Sequence, residues 1–201
     1  ATPRASIFAT MHRSATVILM EEMERTGLIT YVGKVNMDRD APESLLDPSA
    51  NLSAYNTFGW INETADCFRY TRPILTPRFI PCCSNALLNE LREIVHTYDI
   101  PVQSHLSENP GEVELVRQLM PDSEFYGDGY ARFDLFGKHA KTIMAHCIYS
   151  VDQEVELMKE NGVYVAHCPS SNMNLRSGIA PIRKYLDMGI NVGLGSDVAA
   201  G

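Results

Sequence analysis

Nothing in this sequence is apolar for long enough to cross a bilayer; its longest hydrophobic runs are strand-sized, so no membrane partner is expected. No leader of the charged-then-apolar kind is expected from the residues at Ala1 onward. Basic runs are missing too: 17 Lys and Arg stand against 25 Asp and Glu, a net charge of −8. That balance argues against a nucleic-acid partner, because binding a phosphate backbone needs clustered cations. Cysteine is sparse and unpatterned. Five thiols are an odd number, and no Cys-x-x-Cys pair occurs, so neither a disulfide framework nor a thiolate zinc knot is indicated. Adjacent Cys82 and Cys83 suit reduced thiols, and the expected compartment is cytoplasmic. With no low-complexity stretch and no sign of a second domain, residues 1–201 read as a single domain.

What is present is an alternation of strand-like and helix-like segments, the signal for parallel βαβ units. Strands are expected at Ala5–Ala9, Thr30–Val35, Pro73–Thr76, Ile100–His105, Thr142–His146 and Val163–His167, and a last one leads to Asp197. Helices are expected over Ala15–Thr26 (Ser14 as N-cap, Gly27 as stop), Ala50–Tyr70, Asn85–Tyr98 and Gly111–Met120. A further helix opens on a Ser150–Gln153 capping box and closes at Gly162, and a short one spans Ala180–Met188. Asn36–Pro48 and the polar stretch Asp122–Tyr130 read as loops. Leu87, Leu88, Leu91, Ile94 and Val95 form one core-facing stripe. Seven strands and 201 residues fall short of the roughly 250 that a complete eight-unit barrel needs, so an incomplete (β/α)8 barrel, and hence a fragment, is expected.

Three of these strands deliver a metal-liking group at their C-terminal end: His105, His146 and Asp197. That rim is where such barrels build active sites. Imidazole nitrogen and carboxylate oxygen are both ordinary zinc donors. Glu108, three residues past His105, is placed to act as an acid or base on a water or a leaving group. Taken singly, these residues have plainer readings: His105 as a hydrogen-bonded structural histidine, Asp197 as a helix cap, Glu108 as a solvated charge at a helix start. His96 and His139 suit structural or surface roles, and His12 and His167 suit support of the site rather than ligation.

The motifs Thr76-Pro-Arg-Phe79, Ser104-His-Leu-Ser-Glu108, Met144-Ala-His146, Ala166-His-Cys-Pro-Ser-Ser-Asn172 and Gly195-Ser-Asp-Val198 together resemble the guanine deaminases of the amidohydrolase superfamily, in the same order over nearly the whole chain. Thr-Pro-Arg-Phe is the motif most specific for guanine; the others also fit related deaminases and chlorohydrolases. The resemblance implies hydrolytic deamination of guanine at C2 to xanthine and ammonia by a metal-activated water. It implies one Zn2+ per subunit (Fe2+ being the alternative) on His105 and Asp197, His146 and Asp197 orienting the water, and Glu108 as proton shuttle. Arg78 and Phe79 would hold the purine, a small-molecule substrate, and the enzyme would be a homodimer. One departure stands out: the superfamily's His-x-His, which supplies two further ligands from the first strand, occurs nowhere here. The first strand of this chain then matches the family's second, and the isolated chain is expected to bind zinc poorly and to be inactive. The other readings are an amidohydrolase acting on a triazine, pterin or adenosine derivative, and a non-catalytic barrel scaffold.

Overall fold

A computed structural model describes residues 4–198, which divide into two compact units: one of residues 4–78 and 82–101, the other of residues 79–81 and 102–198. The first contains β1 (Arg4–Phe8), α1 (Arg13–Thr26), β2 (Ile29–Gly33), β3 (Val35–Asn36), α2 (Ala50–Thr64), β4 (Thr71–Pro73), β5 (Thr76–Pro77) and α3 (Asn85–Tyr98). Its strands pair in parallel, β1-β2-β4 in one sheet and β3-β5 in another. Two of the expected strands are therefore each broken in two, at Lys34 and at Ile74–Leu75. The break has a packing cause. A side chain at Gly33 would collide with the Thr76 Oγ1, so only glycine lets the two strands approach there.

The second unit contains β6 (Val102–Leu106), α4 (Pro110–Leu119), α5 (Tyr126–Ala131), β7 (Thr142–His146), α6 (Asp152–Asn161), β8 (Tyr164–His167), α7 (Pro169–Asn174), α8 (Ile182–Asp187) and β9 (Val192–Leu194). Its four strands form one parallel sheet in sequence order, β6-β7-β8-β9. Sequential parallel neighbours joined by helical crossovers put every strand's C-terminus on the same edge. The register makes this concrete: His105 pairs with Ala145, Ala145 with Ala166, and Ala166 with Gly193. Val102, Leu106, Met144, Val155, Val165 and Tyr185 are buried, which anchors that edge in an apolar core.

α3 matches its expected bounds, with the Ser84 hydroxyl accepting from the Leu87 N–H at 3.1 Å and all five stripe residues buried. Other caps differ. The N-cap of α1 is His12 rather than Ser14, and the Thr16 hydroxyl donates to the His12 carbonyl at 3.0 Å. The N-cap of α6 is Val151, so the Ser150–Gln153 capping box does not form. α2 stops at Thr64 and not at Tyr70, because the backbone N–H groups of Arg69, Tyr70 and Thr71 donate to the Glu24 carboxylate at 2.9–3.0 Å. Those three donors are then lost to any helical ladder. Among the described residues, no helix is long and apolar enough to span a membrane.

Candidate metal centre

The C-terminal edge of the four-stranded sheet gathers what the sequence placed at strand ends. His105, His146 and Asp197 each present a ligand atom, and these atoms all lie within 4.8 Å of one another. His146 is the most enclosed, at 1% exposure. Its Nε2 lies 3.8 Å from Oε2 of Glu108 and 3.9 Å from Oδ2 of Asp197. The rings of His105 and His146 stack at 5.4 Å between centroids, and Phe79 meets the His105 ring edge-on at 6.3 Å.

Backbone shape produces this convergence. Asp197 was expected at the end of a strand. It lies instead three residues beyond β9, in the left-handed region at φ 50°. His146 and Cys147 are also left-handed, at φ 71° and 51°, as is Ser107 at 48°. Strand geometry would carry these residues straight on; the change of hand folds them back over the sheet edge. Non-glycine residues in this region are uncommon, and their clustering around one set of chemical groups is typical of functional sites. Gly195 is needed for another reason: a Cβ there would lie 2.6 Å from the Cys168 sulfur.

Hydrogen bonds fix each group. The Asn172 side-chain Oδ1 accepts from Nδ1 of His146 at 2.8 Å, so Nδ1 carries a proton and Nε2 is turned towards the two carboxylates. The Ser177 hydroxyl donates to Oε1 of Glu108 at 2.9 Å, and the Glu108 N–H donates to Oε2 of Glu112 at 3.2 Å. The Tyr130 hydroxyl donates to the His105 carbonyl at 2.9 Å and accepts from Ser104. Beneath the turn after His105, the buried Glu154 accepts from Ser107 at 3.0 Å and from the Gly127 N–H at 2.6 Å. Burial raises the Glu112 and Glu154 carboxyls above the usual range.

These residues fit a divalent cation. Two imidazoles and a carboxylate supply nitrogen and oxygen donors at ligand spacing, with Nδ1 of His146 engaged by Asn172 and its Nε2 turned into the group. Two carboxylates that approach one ring nitrogen, at 3.8 and 3.9 Å, also call for positive charge among them. The neighbouring thiols of Cys147 and Cys168 lie outside this three-residue group. Burial, then the charges of Asp197 and Glu108, push Cys168 up to about 11, and burial pushes Cys147 well above its ordinary value.

The remaining expected residues are placed as follows. His167 ends β8 outside the three-residue group; burial lowers its pKa, and its Nδ1 is buried without a hydrogen-bond partner among the described residues. Arg78 belongs to the first unit, where its N–H donates to the Asn36 carbonyl and its Nη1 lies 3.7 Å from the Cys82 sulfur. His12 is in the same unit, with Nδ1 2.9 Å from the Thr10 hydroxyl. Sequence reading assigned no role to Asn172, Ser177 or Tyr130. Asn172 was visible as the last residue of the Ala166–Asn172 motif, whereas Ser177 gave no signal.

Comparison with known proteins agrees with this geometry. Residues 5–201 match the amidohydrolase family model. A probable guanine deaminase of Schizosaccharomyces pombe is 38% identical over 203 residues, and the guanine deaminase of Dictyostelium discoideum 37% over 201, each covering the whole of this chain. The chain spans 38% and 44% of those two proteins' lengths. A crystal structure of guanine deaminase from C. acetobutylicum with guanine in its active site superimposes with a TM-score of 0.95 at 46% identity, over 99% of this chain and 47% of that one. The α/β class with parallel strands is thus that of an incomplete TIM-type barrel. With its family model matched almost end to end and its histidines and aspartate gathered at one sheet edge, the chain belongs to the amidohydrolase family.

Proposed function

We propose that this chain is part of a guanine deaminase and carries half of its metal site and its proton-handling groups. The observation that carries the reading is the approach of His105, His146 and Asp197 to within 4.8 Å, with Glu108 3.8 Å from His146. The similarity to proteins named guanine deaminase supports the choice of substrate. Residues 1–201 are proposed to act as one partial catalytic domain of a cytoplasmic homodimer.

In this reading His105 and Asp197 hold one zinc ion per subunit, with iron as the alternative. A bound zinc ion supplies a water whose pKa is drawn down towards neutrality. His146, protonated on Nδ1, turns Nε2 towards that water as an acceptor and orients it. Glu108 carries protons: it would take one from the attacking water and give it to a ring nitrogen of the purine as C2 is attacked, then take the proton of the new C2 hydroxyl and deliver it to the amino group as the C2–N bond breaks and ammonia leaves. Its position between the Ser177 hydroxyl and His146 suits a group that must face both water and substrate. Arg78 and Phe79 hold the purine, Arg78 by donating to O6 or N7 and Phe79 by contact with the ring. A planar donor that stays charged suits the first task better than lysine.

The test uses the full-length protein. Guanine should yield equimolar xanthine and ammonia, and Glu108→Gln should lower kcat by about 10²–10⁴-fold with metal content unchanged. Unaltered turnover in that variant would remove Glu108 from the mechanism. Arg78→Ala should cut kcat/KM for guanine about 100-fold, since a site built around a polar partner loses heavily when it is removed. A normal rate there, with another aminated heterocycle turned over faster, would reassign the substrate.

A further inference from the structure

The two groups proposed to handle protons come from different strand ends, yet one short segment touches both. Asn172, at 1% exposure near the end of α7, accepts from Nδ1 of His146 at 2.8 Å. Five residues later the Ser177 hydroxyl donates to Oε1 of Glu108 at 2.9 Å. The two are tied together by the Ser177 N–H, which donates to the Asn172 carbonyl at 2.9 Å. We propose that residues 172–178 form a positioning element, in which Asn172 sets the tautomer of His146 and Ser177 sets which oxygen of Glu108 moves protons. This inference rests on the deaminase reading above.

The turn is shaped for this purpose. Arg176 and Gly178 have φ of 56° and 137°, so the chain reverses sharply on either side of Ser177. Gly178 could carry no side chain, because its Cβ would lie 2.8 Å from the Tyr149 hydroxyl. That hydroxyl donates to the Ser177 carbonyl at 2.7 Å, while the Tyr149 N–H donates to the Ser107 carbonyl at 2.9 Å. Tyr149 therefore clamps the turn to the residue preceding Glu108.

The chemical consequence is a division of labour between the Glu108 oxygens. Oε1 is occupied by Ser177, which leaves Oε2 as the oxygen facing His146 Nε2. A carboxylate free to rotate would spend much of its time with neither oxygen aligned; one donated hydrogen bond selects a rotamer before substrate arrives. Asn172 does the same for the imidazole. With its Oδ1 turned to the ring, Asn172 accepts from Nδ1 and so holds the imidazole with Nε2 facing Glu108.

The experiment uses zinc-loaded full-length protein and four variants. Ser177→Ala should lower kcat about 10-fold while KM for guanine stays within twofold and zinc per subunit is unchanged; the solvent deuterium isotope effect on kcat should grow. Ser177→Thr, which keeps the hydroxyl, should restore most of the rate. Asn172→Leu should lower kcat about 100-fold and abolish the slowly exchanging Nδ1 proton of His146 in a proton–nitrogen correlation spectrum; Asn172→Asp, which keeps an acceptor, should retain that signal. Wild-type turnover in Ser177→Ala and Asn172→Leu would overturn the proposal. So would losses that track falling Tm and zinc content and that the Thr and Asp variants fail to reverse. If the wild-type protein released no ammonia from guanine, the deaminase reading itself would fail, and the His146 proton signal would still decide the role of Asn172.

Discussion

Each unit of this chain buries a cluster of polar groups, and the two clusters differ in kind. In the first, Lys34 (side chain fully buried) lies 3.6 Å from the equally buried Asp47. Asp47 accepts from the Ser53 hydroxyl at 2.6 Å, and Asn36 donates to both Ser53 and Thr57. Positive and negative charge balance, and the hydroxyl and amide N–H donors are spent within the cluster. In the second, two carboxylates and two imidazoles converge with like groups facing, and acceptor capacity is left pointing inward. A closed cluster holds a structure together; an open one is arranged for something else to enter. Burial alone separates them poorly, since His146 is as buried as Lys34. The balance of donors, acceptors and charge separates them well.

The sharpest break comes from the open cluster. Asp197→Ala in the full-length protein should lower kcat/KM by at least about 10³-fold and reduce zinc per subunit by elemental analysis, while Tm without metal changes little. A large loss of Tm with zinc retained would mean that this cluster is structural like the other. The closed cluster should respond the opposite way. Lys34→Met leaves Asp47 buried without its charge partner and should cost about 3–5 kcal/mol in urea denaturation, with kcat of the surviving folded protein unchanged. The double change Lys34→Met with Asp47→Leu should recover much of that loss.

The smallest effect concerns Glu112, whose Oε2 accepts from the Glu108 N–H beside the open cluster. Burial raises the Glu112 carboxyl, so its neutral form is favoured in the folded state. That stabilisation is present at low pH and is lost as pH rises through the raised value. Glu112→Gln should thus leave stability nearly unchanged near pH 4 and increase it by about 1 kcal/mol at pH 8, read from denaturation midpoints at the two pH values. A loss at both would show that the charged form is the one the fold needs.

What could be read in advance follows the range of each interaction. The strand ends were legible because an apolar run that stops at His146 or just past His105 is a local pattern, and α3 was legible because Ser84 and its stripe lie within one helix. Asn172 and Ser177 act across 26 and 69 residues of sequence, where no local pattern reaches. α5 was hidden by its glycines. Gly127 and Gly129 weaken a helix on propensity, yet any side chain there would strike Phe136, or Ile80 and Met120, at under 3 Å. Tertiary packing, and not propensity, makes that segment helical. The early end of α2 has the same origin, since Glu24 draws off its backbone donors from 45 or more residues away.

The left-handed residues at the rim bear on any attempt to make this protein sturdier. Ser107, His146, Cys147 and Asp197 occupy a conformation that costs an ordinary side chain on the order of 1 kcal/mol or more, and glycine would relieve it. Glycine would relieve that strain only at a larger cost, because Ser107, His146 and Cys147 are buried and their removal leaves cavities, and two of the four are the very groups that give the rim its chemistry. Fragility at this edge is inherited along with reactivity, and a hardier variant has to find its improvements elsewhere in the molecule.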